Sequence, residues 1–186
     1  MSLYLITGGA RSGKSRYAEA LARHIGGERV SYLATLAPHD EEMRRRISRH
    51  QQRRPDTWQT VEAPLNLSAA VEEARYDTLL IDCLSGFVSN VLLKFEAEGE
   101  EEAVDAALNA VAELLETLPP SPQTTIIVTN EVGDSVVPAY PLGRWYRDAL
   151  GLANQRVAAA ASAVSLVTVG IPKTLKGTFP EVSSEL

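Results

Sequence analysis

Cysteine is almost absent from this chain of 186 residues: Cys83 stands alone, which excludes an internal disulfide and a cysteine-rich zinc site. Histidine is nearly as scarce, with His24, His39 and His50 few enough to weigh one by one. No apolar stretch approaches the ~20 residues of a membrane span, so none is expected. The first residues run straight into an apolar strand, leaving no room for a signal peptide, and a reducing cytoplasm is the expected location. Positive charge is also in deficit: a net charge of −6 argues against a general nucleic-acid binder. Internal repeats and an interdomain linker are missing too, so residues 1–186 read as a single domain. What remains, 45% apolar and 23% charged residues, is the balance of a soluble globular protein with a substantial core.

The most informative stretch comes first. Leu3-Tyr4-Leu5-Ile6-Thr7 leads into Gly8-Gly9-Ala10-Arg11-Ser12-Gly13-Lys14-Ser15, which fits G-x-x-x-x-G-K-[ST] at every fixed position. Gly8 and Gly13 permit the tight turn that aims successive N–H groups at phosphate oxygens. The helix opening near Gly13 brings its positive dipole end to the same anion. Lys14 is placed to reach the outer phosphates, and the Ser15 hydroxyl to hold Mg²⁺. A bound nucleoside triphosphate follows.

Strands and helices then alternate. Tyr17, Ala18, Leu21, Ala22 and Ile25 form one face of a helix that Gly26-Gly27 stops, with His24 off that face and solvated. Val30–Thr35 reads as a strand. Pro38 and Asp40-Glu41-Glu42 open a helix that must end before Pro55. Thr78–Asp82 is an apolar strand, Leu84–Phe95 a helix and Glu96–Glu102 an acidic turn. A helix over Ala103–Leu118 shows Val104, Leu108, Val111, Leu115 and Leu118 on one face, before the break at Pro119-Pro120-Ser121-Pro122. Strands at Thr125–Asn130 and Val164–Val169 flank a loop from Pro138 to Pro141 and a helix over Leu142–Ala161, and the polar tail beyond Lys176 is expected to be loose. These elements predict a doubly wound α/β fold, a mainly parallel sheet with helices on both faces. Ligands in such sheets lie beyond the carboxyl ends of the strands, which gathers Gly8–Ser15, Thr35, Asp82 and Asn130-Glu131 into one crevice.

Asp82 closes its strand about seventy residues after Lys14, where a carboxylate can hold Mg²⁺ opposite Ser15. Cys83 beside it reads as a small buried residue. Glu131 is open to two readings, an aid to metal or base chemistry or a turn residue before Gly133. Between Arg44 and Arg54 lie six of the chain's 18 basic residues, and Arg46, Arg49, His50 and Arg53 share a helical face. Guanidinium groups around one histidine suit a phosphate-handling site. His50 itself can be an anion contact, a general acid, a nucleophile at phosphorus, or simply an exposed side chain; neighbouring positive charges favour the neutral imidazole that attack requires.

The opening Thr7–Ser15 resembles the start of the bifunctional adenosylcobinamide kinase/adenosylcobinamide-phosphate guanylyltransferase family of cobalamin biosynthesis. The likeness continues in Tyr32-Leu33-Ala34-Thr35, in Arg46-Ile47-x-x-His50 with Arg54-Pro55 and Trp58, and in Asp82-Cys83-Leu84 with Ser89-Asn90. It runs on through Thr129-Asn130-Glu131-Val132-Gly133, Val137-Pro138, Arg144, Arg147-Asp148, Gly151 and Asn154-Gln155 to Gly170-Ile171-Pro172. Departures from the family pattern are Asp134-Ser135 after Gly133, Ser162 where aspartate is usual, and Phe87 where tryptophan is common.

The resemblance implies a RecA-like P-loop protein, homo-oligomeric and typically trimeric, with two activities. One is phosphorylation of adenosylcobinamide by ATP or GTP. The other transfers GMP from GTP to adenosylcobinamide-phosphate, giving adenosylcobinamide-GDP and pyrophosphate through a covalent GMP–histidine, which maps onto His50. The family's nucleotide contacts map onto Gly8, Gly9, Ala10, Arg11, Ser12, Gly13, Lys14 and Ser15, onto Leu33, Ala34 and Thr35, onto Gln51, Gln52, Arg53 and Arg54, and onto Glu62 and Leu84. Glu62 has a chemical rationale, because a carboxylate accepts both the N1 and N2 hydrogens of guanine. Two other readings compete: a small-molecule P-loop kinase without nucleotidyl transfer, and a RecA-like ATPase stimulated by nucleic acid through the arginine cluster.

Overall fold

Near-continuous apolar runs build the centre of the molecule, because a parallel strand covered on both faces has no side that tolerates water. The computed structural model describes residues 2–36, 41, 54–118 and 123–182. The strands are β1 (Ser2–Thr7), β2 (Val30–Ala34), β3 (Gln59–Glu62), β4 (Thr78–Asp82), β5 (Thr124–Val128), β6 (Ala163–Thr168) and β7 (Ile171–Lys176). The helices are α1 (Lys14–Gly26), α2 (Leu67–Glu72), α3 (Leu84–Phe95), α4 (Glu100–Thr117) and α5 (Pro141–Ala160). The strands form one sheet in the order β3-β2-β4-β5-β1-β6-β7, with every neighbouring pair parallel except β6 and β7. Every residue of β4 and β5 is buried.

The sheet separates two cores. On one face α1 packs Tyr17, Ala18, Leu21 and Ala22 against Ile6, Val30, Tyr32, Leu80, Ile126 and Val128. On the other, α2, α3, α4 and α5 cover Leu3, Leu5, Leu33, Leu79, Ile81 and Ile127. From β1 the chain leaves through α1 towards β2; from its neighbour β5 it leaves through α5 towards β6, on the opposite side. The carboxyl ends of β1 and β5 therefore flank the point where the winding changes direction, the usual place for a crevice.

Three short elements depart from the sequence expectation. β3 is an edge strand of alternating half-buried and exposed residues, too short and polar to carry a hydrophobic signal. β7 is almost wholly exposed and carries Pro172, Lys173 and Lys176, the composition of a protected sheet edge rather than a core strand. α2 spans six residues and depends on its Asn66 cap, whose side chain accepts from Ala69 N–H. On α4 the buried line is Ala103, Ala107, Leu108, Val111 and Leu114; Val104 and Leu115 flank it. Leu108, Val111 and Leu118 of the expected face are buried, while Ala103, Ala107 and Leu114 take the places expected for Val104 and Leu115. The segment after Lys176, expected to be loose, returns over the sheet, where Phe179 stacks on Tyr4 at 5.2 Å and Tyr17 at 6.2 Å. The predicted helix from Asp40, with His39, Arg44, Arg45, Arg46, Arg49, His50, Gln51, Gln52 and Arg53, lies outside the described residues, as does the break at Pro119–Pro122.

Gly26, the last residue of α1, meets β4 so closely that an added Cβ would sit 2.7 Å from Thr78 Oγ1 and 3.0 Å from Val30 Cγ2. Helix propensity alone favours alanine there by at most about 1 kcal/mol, whereas overpacking costs about 1–3 kcal/mol. Gly26→Ala is therefore expected to destabilise the protein, read as a lower denaturation midpoint in urea; a raised midpoint would contradict this packing.

Candidate nucleotide site

Between the end of β1 and the start of α1 the backbone turns through two positions closed to larger residues. A Cβ on Gly8 would strike the Val167 carbonyl of β6 and lie 2.7 Å from Ser12 Oγ; one on Gly13, whose φ is 97°, would lie 3.1 Å from Gly170 Cα. Lys14 is buried and its Nζ donates to the Gly9 carbonyl at 3.2 Å, over the first turn of the loop. Thr7 Oγ1 and Ser12 Oγ are buried and find no hydrogen-bond partner among the described residues. Hydroxyls left in that state beside a phosphate-binding turn suit a site completed by ligand oxygens. The loop is braced from outside by the turn between β6 and β7, where Gly170 N–H donates to the Ser12 carbonyl at 2.7 Å.

Asp82 ends β4 and is buried. Ser15 Oγ stands 3.5 Å from its Oδ1, and Tyr32 donates its hydroxyl to Oδ2 at 2.8 Å. Burial pushes the Tyr32 hydroxyl well above its ordinary pKa, the Asp82 carboxylate adds to the push, and Arg54 opposes it. Tyr32 thus stays a neutral donor. Arg54 lies over the Tyr32 ring at 3.6 Å and donates to Thr60 Oγ1 at 3.3 Å. Among the described residues no group of three or more His, Cys, Asp or Glu side chains gathers to hold a metal. One carboxylate and one hydroxyl are the partial set that Mg²⁺ accepts when phosphate oxygens and water complete its shell.

Strand register relates these groups to Glu62. Glu62, Ala34, Asp82, Val128, Ile6 and Ser165 form one row across six strands, so their side chains share a face, the face of α1. Glu62 is exposed at its end of the row. Four strand spacings, about 19 Å, separate its strand from β1, so only an extended nucleotide could meet both Glu62 and the loop. Leu33 and Leu84 have their side chains in the opposite core, which leaves only backbone groups for a ligand. Thr35 Oγ1 donates to the Cys83 carbonyl at 2.7 Å and accepts from Cys83 N–H at 2.9 Å, tying β2 to β4 at the crevice. Cys83 caps α3 with its sulfur, receives Ser85 Oγ–H at 2.9 Å, and has its thiol pushed up by burial, the opposite of an activated nucleophile. Glu131 donates its N–H to the Gly8 carbonyl at 3.2 Å, while its Oε1 accepts from Gly133 N–H at 2.7 Å, a turn-forming contact. Arg11 is exposed on the loop with φ 57°.

Several supporting residues escaped the sequence reading. Tyr32 was visible, since strand alternation puts it on the same face as Ala34 and hence Asp82. Asn90 donates to the carbonyls of Thr35 at 2.8 Å and Pro64 at 2.9 Å, and Tyr146 has its hydroxyl pushed up to about 12 by burial beside Ser85 and Asn130. Neither carries a local signal, because each acts across long sequence separations.

Comparison with known proteins gives the family. The family described as cobinamide kinase / cobinamide phosphate guanyltransferase matches residues 4–175. The bifunctional adenosylcobalamin biosynthesis protein CobP of Pseudomonas aeruginosa is 43% identical over 178 residues, 93% of this chain and 96% of that protein. The corresponding protein CobU of Escherichia coli is 39% identical over 183 residues, 94% of this chain and 99% of that protein. Among solved structures, a prototypical ATPase from the type III secretion system of pathogenic bacteria superposes with a TM-score of 0.55 at 14% identity, over 93% of this chain and 56% of that one. That likeness concerns the P-loop ATPase fold alone. Motif, site geometry and near-full-length similarity converge: the chain belongs to the cobinamide kinase / cobinamide phosphate guanyltransferase family.

Proposed function

We infer that the protein is a bifunctional enzyme of cobalamin nucleotide-loop assembly. It phosphorylates the aminopropanol hydroxyl of adenosylcobinamide with ATP or GTP. It then transfers GMP from GTP to adenosylcobinamide-phosphate, releasing pyrophosphate. The observation that carries this reading is the phosphate loop whose Ser15 faces Asp82 at 3.5 Å, in a chain similar to the family over residues 4–175.

In the kinase step the loop N–H groups and Lys14 bind and orient the triphosphate, and the acceptor hydroxyl oxygen bonds to the γ-phosphorus as the bridge to the β-phosphate breaks. In the transfer step a neutral imidazole nitrogen of His50 attacks the α-phosphorus and pyrophosphate leaves; the acceptor phosphate then displaces the histidine, breaking the P–N bond and restoring the imidazole. His50, Gln51, Gln52 and Arg53 lie outside the described residues, so their part rests on the sequence pattern. Ser15 and Asp82 would hold Mg²⁺, which offsets the charge of the phosphates when bound. Tyr32 keeps Asp82 oriented. The backbone at Leu33–Thr35 and Leu84, with Arg54, lines the nucleotide's path, and Glu62 selects guanine. The assembly we propose is a cytoplasmic homotrimer.

Incubation with α-labelled GTP should leave acid-labile, base-stable label on the protein. His50→Ala should take up none, and Asp82→Asn should label only at raised Mg²⁺; equal labelling of the alanine variant would refute the covalent step. Glu62→Ala should cut the preference for GTP over other triphosphates about 10–100-fold, the scale of losing a charged acceptor to two donors, in competition assays of transfer. Sedimentation should report three times the 20.2 kDa chain mass, and a monomer would rule out the trimer.

A further inference from the structure

The connection between β5 and α5 exposes apolar side chains while being firmly held. Val136 is 92% exposed, Val137 61% and Tyr140 64%. Clustered exposure of this kind marks a surface that binds something. Yet the segment is pinned along its length. Ser135 Oγ donates to the Val132 carbonyl at 2.7 Å, Arg147 to the Gly133 carbonyl at 2.6 Å, and Arg144 to the carbonyls of Pro138 at 3.1 Å and Ala139 at 3.0 Å. Its first residues are tied to the phosphate loop through Glu131 N–H and the Gly8 carbonyl. The exposed residues therefore continue from the Gly8–Gly9 end of the loop, over which Lys14 lies. They also lead into α5, which packs on the face of the sheet opposite α1.

Charge points the same way. The chain has a net charge of −6, but among the described residues Arg144 and Arg147 meet carbonyl oxygens and no carboxylate. Their guanidinium groups are held by backbone carbonyls, with the carboxylates Glu131, Asp134 and Asp148 also on this stretch of chain. We propose that this segment is the platform for the acceptor. Val136, Val137 and Tyr140 would meet methyl groups on the rim of the corrin macrocycle, and Arg144 and Arg147 would favour its arm once that arm carries a phosphate. The proposal rests on the function inferred above, which supplies an acceptor with apolar ring methyls among its amide arms and a phosphate added by the first step. A held platform suits it, because little ordering cost remains to be met on binding.

The test compares the unaltered protein with Val136→Asp/Val137→Asp and, separately, Tyr140→Ala. Adenosylcobinamide binding is measured by equilibrium dialysis without nucleotide, and KM for adenosylcobinamide and its phosphate is measured in the two reactions. Labelling by α-labelled GTP reports folding and nucleotide binding, and sedimentation reports assembly. The double variant should bind the corrinoid about tenfold more weakly or worse, the scale of losing two buried valine contacts. Both acceptor KM values should rise in parallel, with GTP labelling and sedimentation unchanged. Tyr140→Ala should move the same quantities in the same direction. Unchanged corrinoid affinity in both variants overturns the platform alone. So does a loss of affinity accompanied by altered sedimentation, which would assign the patch to contact between copies. Failure of the unaltered protein to bind any corrinoid overturns the platform and the inferred function together.

Discussion

A carboxylate at the end of a buried strand must find partners for both oxygens or lose its charge, and Asp82 finds them on two different elements. Ser15 belongs to the first turn of α1 and Tyr32 to β2, so the one acid ties the phosphate-binding helix and the neighbouring strand to the end of β4. Tyr32 serves because its hydroxyl stays protonated there. Arg54 covers the tyrosine ring from the solvent side, adding positive charge to the same corner without taking the place of the donor. Much of the remaining site follows from satisfying that acid. The hydroxyl that would face a metal, the strand ends that define the crevice and the arginine that flanks it all converge on one side chain.

The sheet gives these groups an order. One row in register carries Glu62 near one margin, Asp82 towards the centre and Ile6 just before the phosphate loop. A nucleotide bound along that row would meet the Glu62 carboxylate, to which we assign base selection, then the acid, then the N–H groups of the loop. The segment after β5 lies across from this path, tied to Gly8 yet leading into the helix layer on the other face. On the proposed reading, donor and acceptor would sit on the two sides of the sheet and meet beyond its carboxyl edge.

Much of this was legible in the chain. The phosphate loop, the apolar strand ending in Asp82 and the convergence of strand ends needed only local pattern and one topological rule. β3 and β7 were not legible, because edge strands are selected against the hydrophobic alternation by which strands are recognised. On α4 the expected face held at Leu108 and Val111 and shifted at Val104 and Leu115, where Ala103, Ala107 and Leu114 are the buried residues. Tyr32 and Asn90 stood in the family likeness, but the partners of Asn90 and the burial of Tyr146 lie tens of residues away in sequence. The hold of Phe179 on Tyr4 and Tyr17 was hidden by the polarity of the residues around it.

The brace on the phosphate loop has a consequence for how the protein comes into being. The loop is made first, but its outer wall is the β6–β7 turn, whose Gly170 N–H holds the Ser12 carbonyl and whose backbone lies against Gly13. β6 is also the strand that closes the free side of β1. A chain emerging from the ribosome therefore carries a phosphate-binding sequence long before it has a phosphate-binding structure. The brace on the loop is complete only when the part of the chain around Gly170 folds back onto this earlier part.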